Sequence, residues 1–166
     1  ERLLLDGQVL EYNEPATGRT SSEPAVDPGK LAGVVVDDAA ATLTGHWVES
    51  MVTRPFVGRG YRHDDNTRSG LAQARFETKL SAGRYEVRFG YTPHANRASR
   101  VEVEVTHKLG TKRVLVDERQ PPPTGKLFVS LGTFDFTEEV PAAVFVSNRG
   151  ADGYVVIDAV QWVRVE

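Results

Sequence analysis

An apolar residue at every second position is the feature that most restricts what this chain can fold into. Tyr85, Val87 and Phe89 alternate with Arg84, Glu86 and Arg88, and Val101, Val103 and Val105 alternate with Glu102, Glu104 and Thr106. Successive side chains of a strand point to opposite faces, so each run presents one apolar and one wet face, which the 3.6-residue repeat of a helix cannot do. Ala74, Phe76, Thr78 and Leu80 repeat the pattern, and Ser81-Ala82-Gly83 turns the chain into the next run. Three more β-rich segments, 127–136, 143–147 and 154–165, follow one another across short turns, the last of them long, apolar and carrying Asp158. With 34–36, 47–52 and 114–116 the count reaches about nine strands, and no stretch carries a helical period of useful length. The expected fold class is all-β, an antiparallel β-sandwich.

Composition limits the function classes. The 166 residues suffice for one domain, and the net charge of −3 supplies no basic field for nucleic acid. Fifteen of the 20 basic residues are arginines, which can still gather locally. With no cysteine, disulfides, thiolate nucleophiles and thiolate-bound metals are excluded. No apolar run is long enough for a spanning helix. Glu1 is neither an initiator methionine nor a signal-peptide start, so a mature form or an excised piece of a larger protein is expected. Residues 1–30 form a separate region: Asp6-Gly7 between apolar runs predicts a hairpin over 3–10, and 14–29, with three prolines, reads as a linker or a surface arm. The sandwich is expected to occupy 31–166.

If neighbouring strands run antiparallel and each crosses the sandwich once, loops alternate between its two ends. Loops 53–70, 91–99, 118–126 and 147–153 then share one end, and the tight turns at 81–83, 109–110 and 137–141 share the other. The long-loop end collects His63, Asp64, Asp65, Asn66, His94, Asn96, Arg97, Arg119, Asn148 and Arg149, where binding residues are expected on a rigid scaffold.

Several of these side chains admit two readings. Trp47 and Trp162 lie in apolar strands and read as core more readily than as sugar-stacking rings. Tyr61 and Tyr91, at loop margins, either offer a platform or fold over the sandwich end. The run Arg62-His63-Asp64-Asp65-Asn66 either ligates a hard cation or is turn chemistry; it is no EF-hand, because Arg75 stands where that loop needs a bidentate glutamate and Ser69 where it needs glycine. Arg97 and Arg119 either fork onto a carboxylate-bearing saccharide or pin their own loops. Asp158, inside an apolar strand, requires a hydrogen-bonded, cationic or metal partner, and Asp37 and Asp38 complete a second carboxylate set.

Six ordered pieces resemble one family: Val35-Val-Asp-Asp38 with Gly45-His-Trp47, Gly58-Arg-Gly-Tyr61, Ala82-Gly-Arg-Tyr-Glu-Val87, Asn96-Arg-Ala98, Leu131-Gly-Thr-Phe134 and Val156-Ile-Asp-Ala-Val160. Over about 33–164 they are similar to the golvesin or xanthan-lyase carbohydrate-binding-like domain. Trp47, Tyr61, Asn96, Arg97 and Asp158 fall on its matching positions. The resemblance implies a galactose-binding-like jelly roll, a non-catalytic accessory module appended to a secreted or cell-envelope bacterial enzyme acting on polysaccharide. Related jelly rolls bind a structural calcium, which makes Asp37, Asp38 and Asp158 the metal candidates; no other cofactor is implied.

Nucleophile elbows, zinc-protease motifs and phosphate loops are missing from the sequence, so no enzyme activity is expected. The expectation is polysaccharide binding, including anionic polysaccharide, by Tyr61, His63, Asp64, Tyr91, Asn96, Arg97 and Arg119. A structural or protein-interaction domain packing against a parent enzyme is the alternative, and a polysaccharide lyase or hydrolase a weaker one.

Overall fold

The structure is a computed structural model that describes residues 25–165; the 3–10 hairpin and residues 14–24 of the arm lie outside the described residues. Strands are numbered along the chain. β1 (Ala25–Val26), β2 (Val34–Asp37), β3 (Thr42–Thr44), β4 (Val48–Ser50), β5 (Phe56–Val57) and β6 (Tyr61–His63) are short. β7 (Gln73–Thr78), β8 (Gly83–Gly90), β9 (Val101–His107), β10 (Gly110–Val116), β11 (Phe128–Phe136) and β12 (Ala142–Ser147) are long, and β13 (Val156–Ile157) and β14 (Ala159–Val165) close the chain.

Two antiparallel sheets face one another, one ordered β10-β9-β12-β7-β3 and the other β11-β8-β14-β2. This is the expected jelly-roll sandwich. Period two sets its interior: Tyr85, Val87 and Phe89 of β8, Val101, Val103 and Val105 of β9 and Ala74 and Phe76 of β7 are all buried, while their alternates face outward. Trp162, Phe76 and Phe89 are completely enclosed. Each such side chain contributes roughly 1.5–3 kcal/mol by leaving water. On the outer face Phe145 of β12 lies opposite Arg75 of β7, whose guanidinium sits 4.7 Å from the ring centroid. Lys112 and Arg113 on the edge strand β10 are exposed, which discourages further strand pairing there.

Register defines the two poles. Gly83 and Arg84 of β8 pair with Phe136 and Val165 at one, and Gly90 pairs with Phe128 and Ala159 at the other. Tight turns close the first pole, where the Tyr85 hydroxyl donates to Ser81 O at 2.9 Å.

Two expectations are corrected. The 154–165 segment is not one strand: β13 pairs with β6 in a small sheet ordered β13-β6-β4, β14 joins the large sheet, and Asp158 is the hinge residue between them. Its amide donates to Gly90 O at 3.0 Å and its carbonyl accepts from Asp38 N at 2.8 Å, so its backbone bonds leave the apolar run for two other segments. Secondly, the 47–52 segment, counted as a strand of the sandwich, is the short β4, which pairs with β6 in an excursion within the loop pole, and it is β3 that borders β7. In the arm, Ala25 and Val26 pair in parallel with Phe56 and Val57, and Val26 packs against the apolar cluster of Val57, Leu127, Phe128 and Ala159.

Candidate functional site at the loop pole

The long loops meet as strand parity requires. Tyr154 N donates to Asn96 O at 3.0 Å, Ala98 N donates to Tyr154 O at 2.7 Å, and the His63 and Tyr154 rings meet edge to face at 5.4 Å. Ser99 donates to Asp152 through both its amide, 2.7 Å, and its hydroxyl, 2.6 Å.

Many of the expected binding residues turn out to hold this pole together. Asp64 is fully buried and accepts from Val155 N at 2.9 Å, Asn66 N at 3.1 Å and the Asn148 amide at 2.9 Å; Asn148 in turn accepts from Ala72 N at 3.1 Å. The Asp64 oxygens are therefore committed to the fold, and of the 62–66 run Arg62 and His63 belong to β6 while 64–66 is turn chemistry, with Asp65 and Asn66 in the left-handed region. Arg97 is buried and donates to Thr92 O at 2.8 Å, Thr92 Oγ1 at 2.9 Å and Asn96 Oδ1 at 2.8 Å, which pins its own loop. Tyr61 and Tyr91 are 3% and 2% exposed and present no open ring face. The Tyr61 hydroxyl accepts from Ser50 Oγ and Thr53 N, and that of Tyr91 donates to Gln120 O at 2.7 Å. Both rings fold over the sandwich end because a loop margin leaves them free to turn inward, where each hydroxyl finds a partner.

His63, Asn96 and Arg119 remain accessible. His63 is half-buried, its Nδ1 accepts from Asp65 N at 3.0 Å, and burial holds its imidazole below the ordinary histidine range. Arg119 is exposed and paired to Asp117 at 3.2 Å. Trp162 is core, as expected, and the partly buried Trp47 donates its indole N–H to Thr44 O and Gln73 O.

Glu118, which the sequence reading passed over as a loop boundary, is completely buried. It accepts from Val156 N at 2.8 Å through Oε1, Oε2 has no partner, and burial pushes its carboxyl well above the ordinary glutamate range. Beside three prolines in a polar stretch it looks like a solvated turn residue, so composition gives no signal for it.

The second carboxylate set does assemble. Oxygens of Asp37, Asp38 and Asp158 lie within 4.8 Å of one another, brought together by the end of β2, the 3-10 turn Asp38–Ala40, and the β13–β14 hinge. Asp158 is fully buried, with Oδ2 accepting from Val57 N at 2.9 Å and Oδ1 unpartnered; Asp37 Oδ1 is likewise buried and unpartnered. Asp38 accepts from Arg62 Nε at 2.9 Å. Burial pushes Asp158 well above the ordinary aspartate range, and burial followed by the neighbouring Asp37 charge pushes Asp38 up to about 7. Clustered hard oxygens with orphaned lone pairs fit a calcium-class cation. Gly58 keeps the cradle open: with φ at +72°, a Cβ there would come within 2.6 Å of Asp37 Oδ1.

Asp37 and Asp38 also line a cleft of about 380 Å³, walled by Glu49 of β4, the adjoining Met51 and the Arg59–Arg62 run. Met51 and Arg59 are exposed and Arg62 bridges to Glu49 at 3.3 Å. The Gly58-Arg-Gly-Tyr61 piece was legible as a motif; its part in a cleft was not, because the cleft exists only once β4 and β6 pair.

The golvesin C-terminal domain family matches residues 34–164. The chain is 38% identical over 157 residues to the xanthan lyase of Bacillus sp. (strain GL1), covering 89% of this chain and 16% of that protein. Among solved structures, Paenibacillus xanthan lyase superposes with a TM-score of 0.73 at 32% identity, over 80% of this chain and 13% of that one. The CBM35 of Paenibacillus barcinonensis superposes at 0.56 and 14% identity, over 80% of this chain and 100% of that one. The GH26-CBM35 β-(1,4)-mannanase of Podospora anserina gives 0.60 at 16% identity, over 80% and 28%. The last two show the fold alone, and the chain spans only a small part of the xanthan lyases it matches.

Proposed function

The chain belongs to the golvesin C-terminal domain family, and from that premise we propose that it is a non-catalytic polysaccharide-binding accessory module of a larger, extracytoplasmic bacterial protein. The observation that carries this reading is one of scale. A match over 89% of this chain takes up 16% of a xanthan lyase, as expected of an appended module. The loop pole supplies a fitting surface, in which Asn96, His63 and Arg119 stay accessible on loops held rigid by Asp64, Asn148 and Arg97. Most of the carboxylates buried there are engaged with backbone or arginine, and no chemistry is assigned to them. Among the described residues no helix is long and apolar enough to cross a membrane.

Affinity electrophoresis in gels containing xanthan or a neutral mannan tests the reading. Retardation by at least one polysaccharide, without release of reducing ends, is the expected result. Unchanged mobility in both would favour a domain that packs against its parent enzyme, and released reducing ends would make it a hydrolase or lyase.

A further inference from the structure

We infer that the outer face of the β10-β9-β12-β7-β3 sheet is a second saccharide-binding surface, on which a carboxylate-bearing polysaccharide lies across the strands with a sugar ring over Phe145 and its carboxylates on Arg149 and Arg113. The inference rests on the polysaccharide-binding reading and extends it from the loop pole to a sheet face.

Register composes the face. Cα partners run in one row from Thr42 of β3 through Arg75 of β7, Phe145 of β12 and Glu104 of β9 to Arg113 of β10. A second row runs from Thr44 through Gln73, Ser147 and Glu102 to Leu115. All of these are exposed or partly buried, because the alternates Ala74, Val144, Val146, Val103 and Val105 take the core. Neighbouring strands stand about 4.8 Å apart, so a row across the sheet is roughly 19 Å long, the scale of several linked sugars rather than one. A cleft of about 200 Å³ spans both rows, with Phe145, Ser147 and Gln73 among its walls and Arg149 at its loop-pole end. That is smaller than the roughly 300–1,000 Å³ of pockets that enclose a small molecule whole, and it suits one residue of a longer chain.

Glu102 sets the cations. Its Oε2 takes Arg113 at 2.8 Å and its Oε1 takes Arg149 at 3.1 Å, each through a single terminal nitrogen. The Glu102 side chain is 16% exposed and those of Arg113 and Arg149 are 59% and 71%, so one sunken carboxylate orients two guanidinium groups that keep spare donors. A planar fork of donors is the group that grips a carboxylate bidentately. Arg100, exposed two positions before Glu102, has no ion pair among the described residues and adds a third cation. Glu104, whose cross-strand neighbours are Arg113 and Phe145, accepts no hydrogen bond from any described residue and is free to take one from a sugar hydroxyl. Phe145, with the Arg75 guanidinium 4.7 Å from its centroid, supplies an apolar surface for the C–H face of a pyranose. Glutamates set among the arginines would repel a phosphate backbone, which carries a charge about every 1.7 Å. A polysaccharide with carboxylates on some residues and hydroxyls between them matches the alternation. A protein partner would need an apolar centre, and of the exposed large apolar side chains only Leu115 lies in these two rows.

Affinity electrophoresis of the full chain in gels containing polygalacturonate tests the surface. Retardation is expected, and reduction of the polymer's carboxyl groups to alcohols should remove most of it. Arg113→Gln combined with Arg149→Gln, both at exposed positions, should weaken retardation about tenfold or more, as loss of charge-assisted hydrogen bonds requires. Lys30→Gln combined with Lys108→Gln removes the same charge from exposed positions elsewhere and should change it less than about twofold. Phe145→Leu, which alters no charge, should weaken it about threefold or more through loss of the ring. Melting curves check that each variant is folded. Parent-like retardation of the arginine variant, or an equal loss in the lysine variant, would overturn the surface and leave the polysaccharide-binding reading standing. Poly-L-glutamate competing as well as free polygalacturonate would make the face a site for acidic peptide and overturn the saccharide. Failure of every polysaccharide, xanthan and mannan included, would remove the proposed function and this surface with it.

Discussion

Two groups of buried acids occupy the same pole and are treated in opposite ways. Asp64 is enclosed by donors from Val155, Asn66 and Asn148, each of which ties a different stretch of loop. The Asp37, Asp38 and Asp158 group, in which Asp38 and Asp158 are buried and Asp37 is half-buried, has two enclosed oxygens to which nothing donates. A buried acid with a full set of donors works as a fastener; a group of them with unfilled lone pairs leaves the fold carrying an uncompensated cost. The identity of the residue does not separate the two roles. The donors around it do.

The sharpest way to break this comparison is to remove the fastener. Asp64→Ala strips three hydrogen bonds from buried partners and should cost about 3–5 kcal/mol in urea unfolding; a loss below about 1 kcal/mol would mean that the pole is held by something else. Asp158→Asn should behave conditionally. In excess calcium it forfeits the cation's stabilisation, about 2.7 kcal/mol at a hundredfold over Kd, while in chelator it should be near neutral because it removes an uncompensated acid. Equal costs in both media would place Asp158 with the fasteners. Tyr91→Phe, which deletes the bond to Gln120 O, should cost about 1 kcal/mol by the same assay.

Glu118 stands between the two types, with one oxygen bonded and one not, and pH should expose it. Its folded carboxyl is raised above the ordinary value of 4.5, so the folded chain holds the proton that the unfolded chain releases. Its contribution is fully present below that value and is lost as pH rises through the folded pKa. Glu118→Gln should therefore flatten the fall in stability between pH 5 and 8 relative to the parent, measured by denaturant midpoints; identical slopes would show that the acid is ionised in the fold. The smallest effect belongs to Arg119→Ala, whose solvent-screened pair with Asp117 can be lost without a measurable shift of the denaturant midpoint.

The sandwich was legible wherever one sheet face is wet, as at Tyr85, Val87 and Phe89 or Val101, Val103 and Val105, because alternation records which side faces the core. It was illegible from Tyr154 to Trp162, where both sides are largely buried and the apolar run conceals the change of sheet at Asp158. Parity placed Asn96 and His63 at a common pole, where Tyr154 now joins them. It could not tell which side chains turn inward. Arg97 and Tyr91 have the composition of ligand contacts and the geometry of struts, since direction in a loop depends on partners far away in sequence. The carboxylate group was the reverse case: an aspartate inside an apolar strand demands a partner wherever it is, and that cost was readable before any fold.

The pairing of β2 with β14 has a consequence for how the molecule is made. Val34 to Asp37 lie against Ala159 to Trp162, and the Gln161 side chain reaches back 129 positions to the carbonyl of Ala32. In that sheet β2 pairs with β14 alone, so on a growing polypeptide β2 must wait, its edges exposed, until residues 159–165 have been made.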